Sequence, residues 1–466
     1  MDYISTRGAA DPVGFSAVAL GGTAPDGGLY MPRIWPQFTP EHLRRMRGLD
    51  YPDLAAEVMG PMIGDAVAAP DLSRLCRDTY TRFDHPAVTP LAQLCRQHWV
   101  LDLARGPTLS FKDVALQFLG RLLEHLTASD PLPLVIVGAT SGDTGSAAIE
   151  AVAGLAHVAI VMLHPADRIS DVQRRQMTTV RAPNVHNLAI EGTFDHAQAL
   201  VKQLFADEEL RASMTLTAVN SINWVRIMAQ SVYYFQAALA LGAPDRPVAF
   251  SVPTGNFGNV FSAYAASRMG LPVHRLVAAT NVNDIVHRAI ATGRYERRRV
   301  QQTATPSMDI QVSSNFERLL FEGAGRDGAR MRGQMEQFEA HGSVALAQDQ
   351  QAFLRPLFLS ERVEGDDMVR TMAAAWADAG MLLDPHTAIA LAAARRQPFP
   401  PEVPVVTLAT AHPAKFRQTV ERATGTRPSL PARLGDLFAR EERLERLPAT
   451  YAATRDAVRR AAREMA

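Results

Sequence analysis

The chain has 466 residues, a formal net charge of zero, 47% hydrophobic residues and 21% charged residues. That length predicts two or three domains of a globular enzyme, and a balanced charge without a basic stripe argues against nucleic acid or an anionic membrane as partner. Two cysteines, Cys76 and Cys95, exclude a disulfide framework and lack metal-ligand spacing, so no metal is expected.

The start, Met1-Asp2-Tyr3-Ile4-Ser5-Thr6-Arg7-Gly8, has neither an apolar signal core nor an arginine-rich transit character. No apolar run approaches the length of a membrane span, and a cytoplasmic setting is expected. Residues 1–95 are rich in Pro and Gly, with short helical patches such as residues 40–46, and are read as an N-terminal extension. From about 97 the rhythm changes. Residues 132–137 form a buried-strand pattern that runs into the turn 138–145 and a helical stretch at 146–155. A second strand at 157–163 precedes a helical stretch at 167–180. After a break at 243–247, residues 247–253 enter a second Gly-rich turn and a helix at 260–269. The alternation continues through 273–280, 283–292 and 403–409, then 413–423, and ends in an amphipathic helix at 451–465. Strands alternating with helices predict an α/β fold of two doubly wound parallel-sheet domains, 96–243 and 244–466, behind the extension at 1–95.

Of the 48 basic residues, only Lys112, Lys202 and Lys415 are lysine. A guanidinium cannot be deprotonated in a protein, whereas an ε-amine can act as nucleophile and form a Schiff base. Lys112, in Gly106-Pro107-Thr108-Leu109-Ser110-Phe111-Lys112-Asp113, is therefore the first candidate for covalent chemistry. Lys202 lies in an amphipathic run and reads as a solvated helix position. The two Gly-rich turns stand after strands and open helices, where backbone amides and the helix N-terminus favour anions. Neither turn has the dinucleotide G-x-G-x-x-G spacing or the lysine of a nucleotide P-loop.

Several phrases together carry a family likeness: Asp26-Gly27-Gly28-Leu29-Tyr30-Met31-Pro32, the Lys112 phrase, and Gly138-Ala139-Thr140-Ser141-Gly142-Asp143-Thr144-Gly145. Further on come Asn220-Ser221-Ile222-Asn223-Trp224-Val225-Arg226, Val252-Pro253-Thr254-Gly255-Asn256-Phe257-Gly258-Asn259, Asp384-Pro385-His386-Thr387-Ala388 and Thr410-Ala411-His412-Pro413-Ala414-Lys415-Phe416. Over nearly its whole length the chain resembles the threonine synthases, pyridoxal 5'-phosphate enzymes of the tryptophan-synthase-β-like fold.

The resemblance implies that Lys112 is the catalytic lysine and carries pyridoxal phosphate as a Schiff base. It implies that Gly255, Asn256, Phe257, Gly258 and Asn259 cradle the cofactor phosphate and that Thr410 meets the pyridine nitrogen. The loop of Thr140, Ser141, Gly142, Asp143 and Thr144 would hold the substrate carboxylate. Arg226 and Lys415 are candidates for gripping the leaving phosphate, with Ser110, Asn223 and Asp113 arranging the site. The implied substrate is O-phospho-L-homoserine, turned over with water to L-threonine and phosphate by a monomer or homodimer. A related dehydratase or phospho-amino-acid lyase releasing a keto acid is the alternative. His386 and His412 read as turn-capping histidines, and Tyr233, Tyr234 and Phe235 as helix core. Arg105 stands where a histidine often precedes Gly-Pro-Thr, and Asn259 where an aspartate is common.

Overall fold

The structure, a computed structural model, describes residues 1–140, 142–166 and 171–465. Two parallel sheets organise it. The larger has the strand order Phe358–Arg362, Val273–Thr280, Val248–Pro253, Val405–Ala409, His98–Asp102, Leu91–Gln93. Only the edge strand Leu91–Gln93 is antiparallel to its neighbour. The smaller sheet is parallel throughout, in the order Glu445–Pro448, Val185–Glu191, Val158–Pro165, Leu134–Ala139, Thr215–Thr217.

The continuous apolar runs follow from burial on both faces. In the strand Leu134–Ala139, Leu134 and Ile136 face the main core, while Val135 and Val137 face a second core with the helices Phe194–Ala206 and Tyr451–Arg463. In the larger sheet, Phe250, Val252 and Leu276 face the main core. On the other side Ala249, Val277, Ala279 and Val405 pack against residues of the helix Pro385–Arg395. Period-two alternation with both sides apolar is what a doubly wound parallel sheet requires.

The sheets cross the sequence boundaries expected at 95/96 and 243/244. His98–Asp102, expected with the middle unit, pairs with Val405–Ala409 in the larger sheet, and Leu91–Gln93 joins it from the extension. Glu445–Pro448, at the far end of the chain, completes the smaller sheet. Hydrophobic periodicity identifies a strand but carries no information about its partner. The helix expected at 167–180 is described from Asp171 to Thr178, and residues 167–170 lie outside the described residues.

The extension is built on a small antiparallel sheet of Val13–Gly14, Asp2–Ser5 and Tyr30–Pro32 and on the helices Tyr51–Ile63 and Ala69–Tyr80. It reaches the interior through Tyr3, whose hydroxyl donates to the Met62 carbonyl at 2.6 Å and accepts from Trp224 Nε1 at 3.1 Å. Trp224 opens the helix Trp224–Ala240, which also bears Arg226. Among the described residues no helix is long and apolar enough to cross a membrane.

Candidate active site

The strand Val405–Ala409 delivers Thr410 to the carboxyl edge of the larger sheet. There Ser110 pairs with Ala411 in an isolated antiparallel bridge, the Phe111 amide donates to the Thr410 carbonyl at 2.9 Å, and the His412 amide donates to the Leu109 carbonyl at 3.1 Å. Leu109 is buried at φ 62°, a strained conformation held by these bonds. Lys112 follows as the first residue of the helix Lys112–Thr127. Burial is the main cause lowering its affinity for a proton; Asp143 opposes that, and Lys415 and Arg226 reinforce it. These surroundings shift the amine toward its neutral form.

Asp143 opens the helix Asp143–Val152 and is buried. Its Oδ2 lies 3.5 Å from Lys112 Nζ, and its Oδ1 lies 2.6 Å from Lys415 Nζ and accepts from Gln173 Nε2 at 2.7 Å. Burial alone would raise this carboxyl, yet the two lysines outweigh it and hold it well below the ordinary carboxylate range. The turn before it is tied by the Thr140 hydroxyl, which accepts from the amides of Gly142 at 3.1 Å and Gly145 at 3.0 Å. Gly142 has φ 155°, and a Cβ there would stand 2.7 Å from the Gln173 side chain. Glycine thus lets Gln173 reach Asp143. Ser141 lies outside the described residues.

The strand Val248–Pro253 leads into residues 254–259. A Cβ on Gly255 would fall 2.4 Å from the Ser307 carbonyl oxygen, so only glycine permits that close approach. Phe257 sits at φ 62° at the start of the helix Gly258–Arg268; its buried ring packs edge-on against Phe316 at 5.1 Å. A left-handed non-glycine residue costs about 1–3 kcal/mol, which burial of an aromatic ring can offset. Asn256 Nδ2 donates to Ser221 Oγ at 3.0 Å. The Asn259 Oδ1 accepts from the hydroxyls of Tyr233 and Tyr234, and its Nδ2 has no partner among the described residues. Tyr233, Tyr234 and Phe235 are fully buried helix core as expected, with the two hydroxyls additionally orienting Asn259.

Arg226 is 4% exposed, and its Nε and Nη1 have no hydrogen-bond partner among the described residues. Burial pushes its proton affinity down to about 10, still leaving a cation at neutral pH. Asn223 acts as the cap of the same helix: its side chain accepts from the Val225 amide at 2.9 Å and donates to the Ala19 carbonyl at 2.9 Å. Asp113 also faces its own chain, accepting from the Thr108 amide at 2.8 Å and hydroxyl at 2.7 Å. Ser110 is buried, its Oγ 3.4 Å from the Lys112 amide. Arg105 pairs with Asp102 at 2.7 Å.

One cavity gathers Lys112, Thr144, Arg226, residues 255–259, His386 and Thr410. Lys415 stands behind it, its ammonium committed to Asp143 and to the Thr108 carbonyl at 3.0 Å. His412 caps a turn as expected, accepting from the Ala414 amide at 3.1 Å. His386 does more than cap. Its Nδ1 is 2.9 Å from Asp384 Oδ1 while its Nε2, buried, has no partner among the described residues.

The sequence matches the family model for the threonine synthase N terminus over residues 2–80, that for pyridoxal-phosphate dependent enzymes over 83–357 and that for the threonine synthase C-terminal region over 387–458. It is 52% identical to the threonine synthase of Pseudomonas aeruginosa over 449 residues, covering 96% of each chain. The chain belongs to the threonine synthase family. Its fold matches pyridoxal-phosphate-bound threonine synthase from Brucella melitensis with a TM-score of 0.97 at 48% identity, covering 99% of this chain and 100% of the other. Yeast threonine synthase superposes with a TM-score of 0.94 at 35% identity, covering 99% and 98%. As a threonine synthase relative the chain is a pyridoxal-phosphate-dependent enzyme of the expected two-sheet fold. Sequence reading passed over Ser221, Ser307 and Gln230 in the cavity wall and undervalued His386. Only the Asp384-Pro385-His386 spacing signalled the last.

Proposed function

We propose that the chain converts O-phospho-L-homoserine and water to L-threonine and phosphate. The observation that carries this reading is Arg226, a buried cation with no anionic partner among the described residues, in the cavity that holds a deprotonatable amine at Lys112. An unpaired buried charge is costly, and a phosphate group would compensate it.

The donor set fits pyridoxal phosphate. Lys112 offers an amine to its aldehyde, residues 255–259 offer a close-approach cradle at a helix start for its phosphate, and the Thr410 hydroxyl suits its ring nitrogen. When bound, the cofactor supplies an electron sink for charge developing on substrate carbons. Lys112 Nζ would take the proton from the substrate's Cα and release it, then take a proton from Cβ and return one at Cγ once phosphate has departed, with water adding at Cβ to supply the hydroxyl of threonine. Arg226 would hold the phosphate as it departs. The turn of Thr140, Ser141, Gly142, Asp143 and Thr144, at the start of a helix, would receive the substrate carboxylate. Asn259, held by two tyrosine hydroxyls, keeps an amide that has no partner among the described residues at the cofactor loop.

The proposal includes a cytoplasmic setting and action as a monomer or homodimer, without nucleic acid or membrane; two unpaired cysteines and zero net charge support it. Incubation of purified protein with O-phospho-L-homoserine tests the reaction. Threonine and phosphate in equal amounts are expected; 2-oxobutyrate in place of threonine would assign a dehydratase or phospho-amino-acid lyase that releases a keto acid instead.

A further inference from the structure

Behind Lys112 one carboxylate serves two lysines. Asp143 presents Oδ2 to Lys112 Nζ at 3.5 Å and Oδ1 to Lys415 Nζ at 2.6 Å. The Lys415 side chain is fully buried and also donates to the Thr108 carbonyl at 3.0 Å, within the turn that precedes Lys112. Gln173 Nε2 holds the same Oδ1 at 2.7 Å. Two further charged groups stand near Lys112. Arg226 bears on it from the helix Trp224–Ala240, and Asp113, the next residue, is turned onto Thr108. A lone carboxylate this close would hold Lys112 as an ammonium. At the effective dielectric of a protein site, two unit charges about 4 Å apart change proton affinity by roughly three decades. Lys415 occupies the opposite oxygen and cancels much of that field.

We propose that Lys415 is a positioning residue for Lys112: it pins the Asp143 carboxylate and takes up its charge, so that Asp143 orients the Lys112 amine without locking it as an ammonium. This deepens the reading of Lys112 as the reactive amine and rests on it. It gives the third lysine a role distinct from phosphate binding.

The test is a titration of lysine Nζ resonances by ¹⁵N NMR on the full-length chain freed of cofactor with hydroxylamine. With only three lysines in the sequence, each signal is assigned by single substitution. In Lys415→Met the Lys112 midpoint is expected to rise by about one pH unit or more, and in Asp143→Asn to fall by a comparable amount. Opposite shifts are not produced by a merely structural role. Should Lys415→Met fail to fold, Asp143→Asn and the charge-keeping Lys415→Arg still decide: the first must lower the midpoint and the second must leave it near the wild-type value. An unchanged or lowered midpoint in Lys415→Met, or a raised one in Asp143→Asn, overturns the proposal. Because the titration needs neither cofactor nor substrate, such a failure would leave the proposed reaction standing.

Discussion

Ser110 and Ala411 pair across a single antiparallel bridge, and that bridge joins the turn bearing Lys112 to the strand end bearing Thr410. The Phe111 amide on the Thr410 carbonyl adds a second tie beside it. The amine and the hydroxyl therefore keep a fixed relation although they come from distant parts of the chain. Rigid placement of this kind is what positions reacting groups before substrate arrives.

Replacing Lys112 by Ala should abolish the visible absorbance of bound cofactor and threonine formation together, since no arginine can take over an amine's covalent role. Borohydride reduction of the wild-type enzyme followed by peptide mapping should place the cofactor on the peptide containing Lys112. Turnover surviving in Lys112→Ala would refute the assignment.

Arg226→Leu should lower kcat/KM for the phosphorylated substrate by about 100-fold or more, the scale of losing one buried charge-assisted contact, near 3 kcal/mol. The variant should melt at or above the wild-type temperature in phosphate-free buffer, because the wild type carries a buried guanidinium with two nitrogens unpartnered among the described residues. Added inorganic phosphate should stabilise the wild type and not the variant. Equal stabilisation of both would remove Arg226 from phosphate recognition.

Gly255→Ala should weaken cofactor binding at least about tenfold and cost roughly 1–3 kcal/mol of stability, since the new Cβ would lie 2.4 Å from a backbone oxygen that has no soft way to yield. Gly333→Ala is the control. That glycine lies inside the helix Gly328–His341 with nothing within 4 Å of the new Cβ, so alanine should add about 0.5–1 kcal/mol. Equilibrium denaturation and cofactor titration of both variants provide the measurement.

Asp113 should titrate near pH 6, pushed up by burial despite two bonds from Thr108. A carboxyl raised in the folded state stabilises the fold below its unfolded value near 4 and loses that contribution as pH rises through 6. The wild type should therefore lose about 2–3 kcal/mol relative to Asp113→Asn between pH 4 and pH 7. A stability difference between the two that is flat over this range would contradict the burial argument.

Much of the architecture was legible in the residues alone. The strands at 132–137, 157–163, 247–253, 273–280 and 403–409 are each apolar on both faces, and each is found in a parallel sheet. The Gly-rich turn 254–259 and the phrase around Lys112 line the same cavity. The roles expected of Asn223, Asp113 and Lys415 were harder to read, because a polar residue near a motif can as well cap a helix or brace a turn. Asn223 caps the Trp224–Ala240 helix, and Asp113 braces Thr108.

The sequence by itself determined the family and the parallel-sheet class and pointed to Lys112 as the candidate amine, since periodicity, glycine placement and the scarcity of lysine are properties of the chain read locally. Tertiary structure alone decided which strands share a sheet, that Arg226 is buried with no anionic partner among the described residues, and that Lys415 meets Thr108 across 307 residues and shares Asp143 with Lys112. The reason is physical. Strand pairing and charge compensation act through space between segments remote in sequence, and burial sets their strength only once the chain has closed around them.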